Sequence, residues 1–248
     1  MARSPEDKTD KASFRLGNDT RFVVLSVGIL VFTTAANILP NGPAPIAALL
    51  GFTIPASVLL VSAARCGISR TFGAANAVTS LRLGLVALLI GAAADAAATL
   101  ETWWPAILAA LALALDGIDG AVARRNGLES RFGALFDQET DALLILVLTL
   151  ILSVSGKVGL WIAVAGLMRY LLLAAGLVWP SLAEPLPKSW FRSTVCGFVA
   201  GALVICLVPL VAPFHANTLA AAALSVLTLS FGKDLIWLLK QGPGKSHA

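Results

Sequence analysis

The amino-acid sequence predicts an all-α polytopic membrane protein with about eight transmembrane helices. Three observations predict it. Of the 248 residues, 58% are apolar and 13% charged, against roughly 45–50% and about 25% in an average soluble domain. The apolar residues fall into runs of about 20, the length that carries a helix across roughly 30 Å of hydrocarbon. The basic residues gather in alternate connections between those runs, as a membrane topology requires. This composition excludes disorder, a collagen-like repeat and a nucleic-acid-binding arm.

Taken in order, residues 1–20 are polar and mixed in charge, with no apolar stretch leading to a small-residue cleavage site. They read as a retained cytoplasmic N-terminus rather than a signal peptide. The candidate spans run from Phe22 to Leu39, Ala44 to Ala64, Val78 to Ala98, Trp104 to Val122, Ala134 to Ser155, Gly159 to Val178, Thr194 to Ala212 and Asn217 to Leu239. Asn41-Gly42-Pro43 supplies a tight turn between the first two, and Asn217 is placed to cap the last. Arg3, Lys8, Lys11, Arg15 and Arg21 precede the first span; Arg65 and Arg70 follow the second, Arg124, Arg125 and Arg131 the fourth, Lys188 and Arg192 the sixth, and Lys240 and Lys245 the last. The other set of loops holds Lys157 alone. The positive-inside rule then puts both termini, and the loops after the second, fourth and sixth spans, on the cytoplasmic side of the cell membrane. Cys66, Cys196 and Cys206 have neither the count of a disulfide framework nor metal-ligand spacing, and His215 and His247 lie in a loop and the tail.

Ionisable residues are sparse, so their one cluster is informative. It reads Asp116-Gly-Ile-Asp119-Gly120-Ala-Val-Ala123-Arg124, then eight residues, then Gly133-Ala-Leu-Phe-Asp137-Gln-Glu-Thr-Asp141. Residues three, four and seven apart share one helix face, so Asp116, Asp119, Gly120 and Ala123 form one stripe and Gly133, Asp137 and Asp141 another. Two helices joined by a short turn pack antiparallel, which predicts four carboxylates facing one another across two glycines. Each carboxylate costs about 2.5–3.5 kcal/mol at the bilayer centre on insertion scales, before mutual repulsion. Two hard divalent cations, magnesium or manganese, would balance four such charges, and a two-metal oxygen site suits phosphoryl transfer. The glycines leave room for a phosphate to approach the helix backbone, and Arg124 can hold phosphate bidentately. Against this stand two other readings: small residues serving helix packing, and a carboxylate relay in an ion or proton transporter. A structural ion network is disfavoured at this stage, because the only arginines near the motif lie at the membrane edge.

These residues resemble the signature of the CDP-alcohol phosphotransferases, D-x2-D-G-x2-A-R-x8-G-x3-D-x3-D, at every fixed position. Asn76-Ala-Val-Thr79-Ser-Leu-Arg82 is similar to the N-x2-T-x2-R pattern at the start of that family's first core helix. The resemblance implies a six-helix catalytic membrane core over 71–240, preceded by two additional helices in 21–70 and followed by a cytoplasmic tail, 241–248. It implies that Asp116, Asp119, Asp137 and Asp141 hold two magnesium or manganese ions, with Asp141 also the general base. By the same resemblance Asn76, Thr79, Gly120, Ala123, Arg124 and Gly133 receive the cytidine diphosphate part of a CDP-alcohol. An acceptor alkoxide would attack the β-phosphorus, and CMP would leave.

Arg169 falls well inside the sixth span, where the family carries an arginine facing the acceptor cavity. With Lys188 and Arg192 it would form a basic pocket for a small, polar, phosphorylated alcohol; topology anchoring is the plain alternative for the loop pair. Glu139 points away from Asp137 and Asp141 by its spacing, and Lys233 and Asp234 read as a local pair. The expectation is a phospholipid-synthesis enzyme of the cytoplasmic membrane. It would transfer a phosphatidyl group from CDP-diacylglycerol to a small acceptor, with the bilayer as its setting and no nucleic acid partner; family members are often homodimers. The alternative is transfer from a soluble CDP-choline or CDP-ethanolamine type donor to diacylglycerol.

Overall fold

The computed structural model describes residues 27, 28, 31, 34–36, 43–65, 74–94, 100–126, 131–179 and 190–241. Among the described residues every regular element is helical. The helices are α1 (Ala44–Arg65), α2 (Ala74–Ala93), α3 (Trp104–Asn126), α4 (Arg131–Val154), α5 (Ala163–Val178, led by a 3-10 turn at Leu160–Ile162), α6 (Trp190–Leu207) and α7 (Pro213–Gln241). The described positions of the first predicted span, 27, 28, 31 and 34–36, are helical as well.

The helices extend beyond the apolar runs at the ends where the motifs lie. α2 starts a turn before Val78, α3 continues a turn past Val122, and α4 starts before Ala134. Hydropathy detects only the apolar part of each helix, whereas the backbone hydrogen bonding runs on through Asn76, the α3 glycines and Gly133. The segment Pro213–Trp237 is long and apolar enough to cross a membrane. Shorter apolar helical segments occur at Ala44–Ser57, Val78–Ala93, Trp104–Gly117, Leu160–Gly176 and Phe191–Leu207.

α2 is the axis of the packing. One face, with Val86 and Leu89, joins a core built with Ala109 and Ala112 of α3, Leu144 and Leu148 of α4, and Val199 and Leu203 of α6. The other face, with Leu83, Ala87 and Leu88, packs on Val31, Ala35, Ala48 and Phe52 from the N-terminal helices. Gly51 makes that second contact close, since a Cβ there would lie 2.5 Å from Ile90 Cδ1. α3 and α4, adjacent in sequence, touch each other far less than either touches α2. The expected direct antiparallel pair is therefore corrected among the described residues: α2 stands between the two motif-bearing helices.

At the opposite end, α4 stops at Val154 and the chain turns through Gly156, whose φ of +74° favours glycine. Asn217 does not cap α7, which begins at Pro213. Instead its Nδ2 donates to Lys157 O (3.1 Å) and Pro213 O (2.8 Å), while Gly159 N donates to its Oδ1 (3.3 Å). A proline at the first helical position replaces the expected cap, because it has no N–H to satisfy. Lys157 Nζ donates to Val208 O (2.7 Å), tying this turn to the one that follows α6. Burial lowers the Lys157 pKa from its ordinary value.

Candidate active site

The motif residues meet around one side chain. Arg82, on α2, is fully buried and reaches into the space between α3 and α4. Its Nη1 donates to Asp116 Oδ1 of α3 (2.9 Å) and Asp137 Oδ1 of α4 (2.7 Å), and its Nη2 donates to Asp141 Oδ1. The three carboxylates are about a third exposed, at 32%, 41% and 34%. Guanidinium and carboxylates thus form one ion cluster, buried at Arg82 on α2 and partly exposed at the acids. The planar fork of Arg suits several oxygens at once, and its charge persists at every working pH. The expectation that no arginine lies inside the cluster is corrected: Arg82 sits at its centre. Its register was visible, since Asn76, Thr79 and Arg82 are three apart on one helix face. What the sequence does not show is that α2 lies between the acids.

Asp116, Asp137 and Asp141 each offer an oxygen within 4.8 Å of the other two. An all-carboxylate set of this kind fits a hard divalent cation such as magnesium or manganese. Thr79 is buried on the Arg82 face of α2, and Gly133 lies one turn before Asp137 on α4. Asn76 and Asp119, Gly120, Ala123 and Arg124 belong to α2 and α3, but their side chains lie outside the described residues. Their expected roles rest on the motif.

The predicted acceptor residues carry partners that spacing did not reveal. Arg169 Nη2, on α5, donates to Glu139 Oε1 of α4. Glu139 does point away from Asp137 and Asp141, and it turns to α5 instead. Tyr170 lies near enough to feel both charges. The Arg169 Nε is buried and has no hydrogen-bond partner among the described residues. Arg192 Nη1, on α6, donates to Asp234 Oδ2 of α7 at 3.3 Å. That corrects the local pairing of Lys233 with Asp234: Lys233 Nζ lies 5.5 Å from the centre of the Phe191 ring instead. Lys188 lies outside the described residues.

The two groups of charges border a common space. Cys196 of α6 is close enough to Asp141, Arg192, Arg169 and Asp116 for all four charges to act on its thiol. Next to it, Gly197 has no heavy atom within 4 Å of where a Cβ would be, and Gly117, beside Asp116, is equally open. Cys196 thus lies near both the carboxylates and the two arginines.

An acidic cluster able to hold a hard divalent cation suits the class of metal-assisted phosphoryl-transfer proteins. Comparison with known proteins supplies the family. Residues 72–231 match the model for CDP-alcohol phosphatidyltransferase, and the chain belongs to this family. It is a CDP-alcohol phosphotransferase, a transferase of phospholipid biosynthesis from a membrane-bound family that uses divalent metals. A probable phosphatidylglycerophosphate synthase of Mycobacterium tuberculosis is 31% identical over 176 residues, 68% of this chain and 83% of the relative. A putative cardiolipin synthase of Mycobacterium bovis is 30% identical over 136 residues, 54% of this chain and 64% of the relative. No solved structure matches the chain.

Proposed function

We propose that the protein transfers a phosphatidyl group from CDP-diacylglycerol to the hydroxyl of a small, phosphorylated alcohol and releases CMP. The observation that carries this is the convergence of Asp116, Asp137 and Asp141, the described acids of the signature, with Cys196 of α6 near both these acids and Arg169 and Arg192. The relative named as a phosphatidylglycerophosphate synthase supports a phosphorylated acceptor.

Asp116, Asp119, Asp137 and Asp141 would hold two magnesium or manganese ions, which supply charge stabilisation at the phosphoryl oxygens. Asn76, Thr79, Gly120, Ala123, Arg124 and Gly133 receive the cytidine diphosphate, with the small residues admitting the pyrophosphate against the helices. Asp141 takes the proton from the acceptor hydroxyl. The acceptor oxygen bonds to the β-phosphorus, the bond from that phosphorus to the bridging oxygen breaks, and CMP carries the electron pair away. Arg169, Arg192 and Lys188 hold the acceptor phosphate. The partial exposure of the Arg169 side chain, 25%, supports this role, since a ligand oxygen can reach its guanidinium. Glu139 then acts as the internal anion that the acceptor phosphate replaces on Arg169.

The same proposal places the chain across the cytoplasmic membrane, with a catalytic core over 71–240 and its site at the cytoplasmic face. The exterior supports it: Ile46, Leu50 and Ile54 of α1, Leu171 of α5, Phe198 of α6 and Leu229 and Ile236 of α7 are all exposed. Water-facing surfaces seldom present that many large apolar side chains. A lipid donor enters such a site from the bilayer and a water-soluble acceptor from the cytoplasm.

The test is CMP release by purified protein with magnesium, CDP-diacylglycerol and a pool of small alcohols, beside Asp141→Asn. The expected result is CMP from the wild type alone, with glycerol phosphate or another phosphorylated alcohol sufficient. CMP release only with a soluble CDP-alcohol and diacylglycerol would refute the direction of transfer.

A further inference from the structure

The three described carboxylates already have a cation. Arg82 cannot lose its proton, is fully buried, and donates to one oxygen of each acid. It is anchored on α2, whose other face is packed by the N-terminal helices through Leu83, Ala87 and Leu88. A divalent ion on these carboxylates would find one oxygen of each free, since the guanidinium uses only the other. It would still stand close to a permanent positive charge. Contact of Arg82 with the acids and occupation by a metal therefore oppose each other. Without any cation, three like charges with oxygens this close would repel and push α3 away from α4.

We propose that Arg82 is the resident counter-cation of the metal-free site. It offsets the mutual repulsion of the acids of α3 and α4 across α2, and it lowers metal affinity through the repulsion between its fixed charge and the divalent ion. This rests on the reading of Asp116, Asp137 and Asp141 as metal ligands. Because two ligands that oppose each other do so reciprocally, removing one must strengthen the other. Since the guanidinium does not titrate, the opposition holds across the working pH range.

The experiment is manganese binding to the full chain in detergent micelles, read as loss of the free Mn2+ electron paramagnetic resonance signal, with thermal unfolding beside it. Arg82→Met keeps the length and removes the charge. It should bind Mn2+ at least about fivefold more tightly than wild type, the lower end of typical coupling between sites. Its metal-free form should melt below the wild type, and magnesium should raise its Tm by more. Arg82→Lys keeps a charge but lacks the fork that bridges several oxygens, so it should bind more tightly than wild type by a smaller factor. That variant decides the matter if Arg82→Met does not fold. Manganese affinity unchanged or weakened in the folded variants overturns the proposal. Asp137→Asn separates the two readings: if it weakens binding while the Arg82 variants fail to tighten it, only the opposition is wrong. If Asp137→Asn leaves binding unchanged, the acids are not the metal site and both readings fall.

Discussion

Gly166 offers a direct test of how closely α5, which carries Arg169, packs on α4. A Cβ at Gly166 of α5 would lie 2.6 Å from Leu146 Cα and 2.6 Å from Thr149 Oγ1, both on α4. Ordinary contacts sit near 3.5–4.0 Å, so Gly166→Ala must part the two helices by about 1 Å. One of the two obstacles is backbone, which cannot rotate away. Overpacking of this kind costs about 1–3 kcal/mol, partly offset by the gain of up to about 1 kcal/mol for alanine over glycine in a helix. Gly232→Ala, in α7, is the matched control, because nothing lies within 4 Å of its Cβ position. The propensity gain is common to both variants and cancels, leaving Gly166→Ala less stable than Gly232→Ala by about 1–3 kcal/mol. Arg169 is three residues further along the same face of α5, so the displacement also stretches its contact with Glu139. Reversible unfolding in mixed micelles measures the first effect, and the acceptor KM the second. Equal stability of the two alanine variants would refute the close α4–α5 crossing from which this reasoning starts.

The other predictions address chemistry and charge. Asp141→Asn should lower kcat by about 10²–10⁴, the usual contribution of a general base, while a CDP-alcohol still binds by isothermal titration. Retained turnover would remove Asp141 as the base. Glu139→Gln frees Arg169 from its internal anion and should lower the KM for a phosphorylated acceptor by about twofold to fivefold, the scale of a partly exposed ion pair. A higher KM would show that Glu139 positions Arg169 instead of competing for it. Burial lowers the Lys157 pKa, so between that depressed value and the unfolded value of 10.5 the unfolded chain binds more protons than the folded one. Stability should therefore rise with pH through that window, and Lys157→Gln should flatten the rise in a pH series of unfolding measurements.

The residues of the candidate site were largely legible in one dimension. Asp116, Asp119, Gly120, Ala123 and Arg124, then Gly133, Asp137 and Asp141, stand at offsets that a helix converts into two stripes. The helical class follows from run length and composition, because an apolar chain in a bilayer must satisfy its backbone internally. Local rules failed where a partner comes from far along the chain. Arg82 lies 34, 55 and 59 residues from the three acids it binds, and Arg169 lies 30 from Glu139. Arg192 and Asp234 are 42 apart.

What the sequence determined by itself is thus the set of groups and the faces they occupy, since period and spacing are properties of a single helix. What the tertiary structure decided is which faces meet. α2 came between α3 and α4 because it carries two apolar faces, one for the helices of the site and one for the N-terminal pair. That arrangement buries Arg82 among the carboxylates and turns Glu139 toward Arg169. Helix order in a bundle depends on the packing of whole surfaces, which no spacing within a single helix encodes.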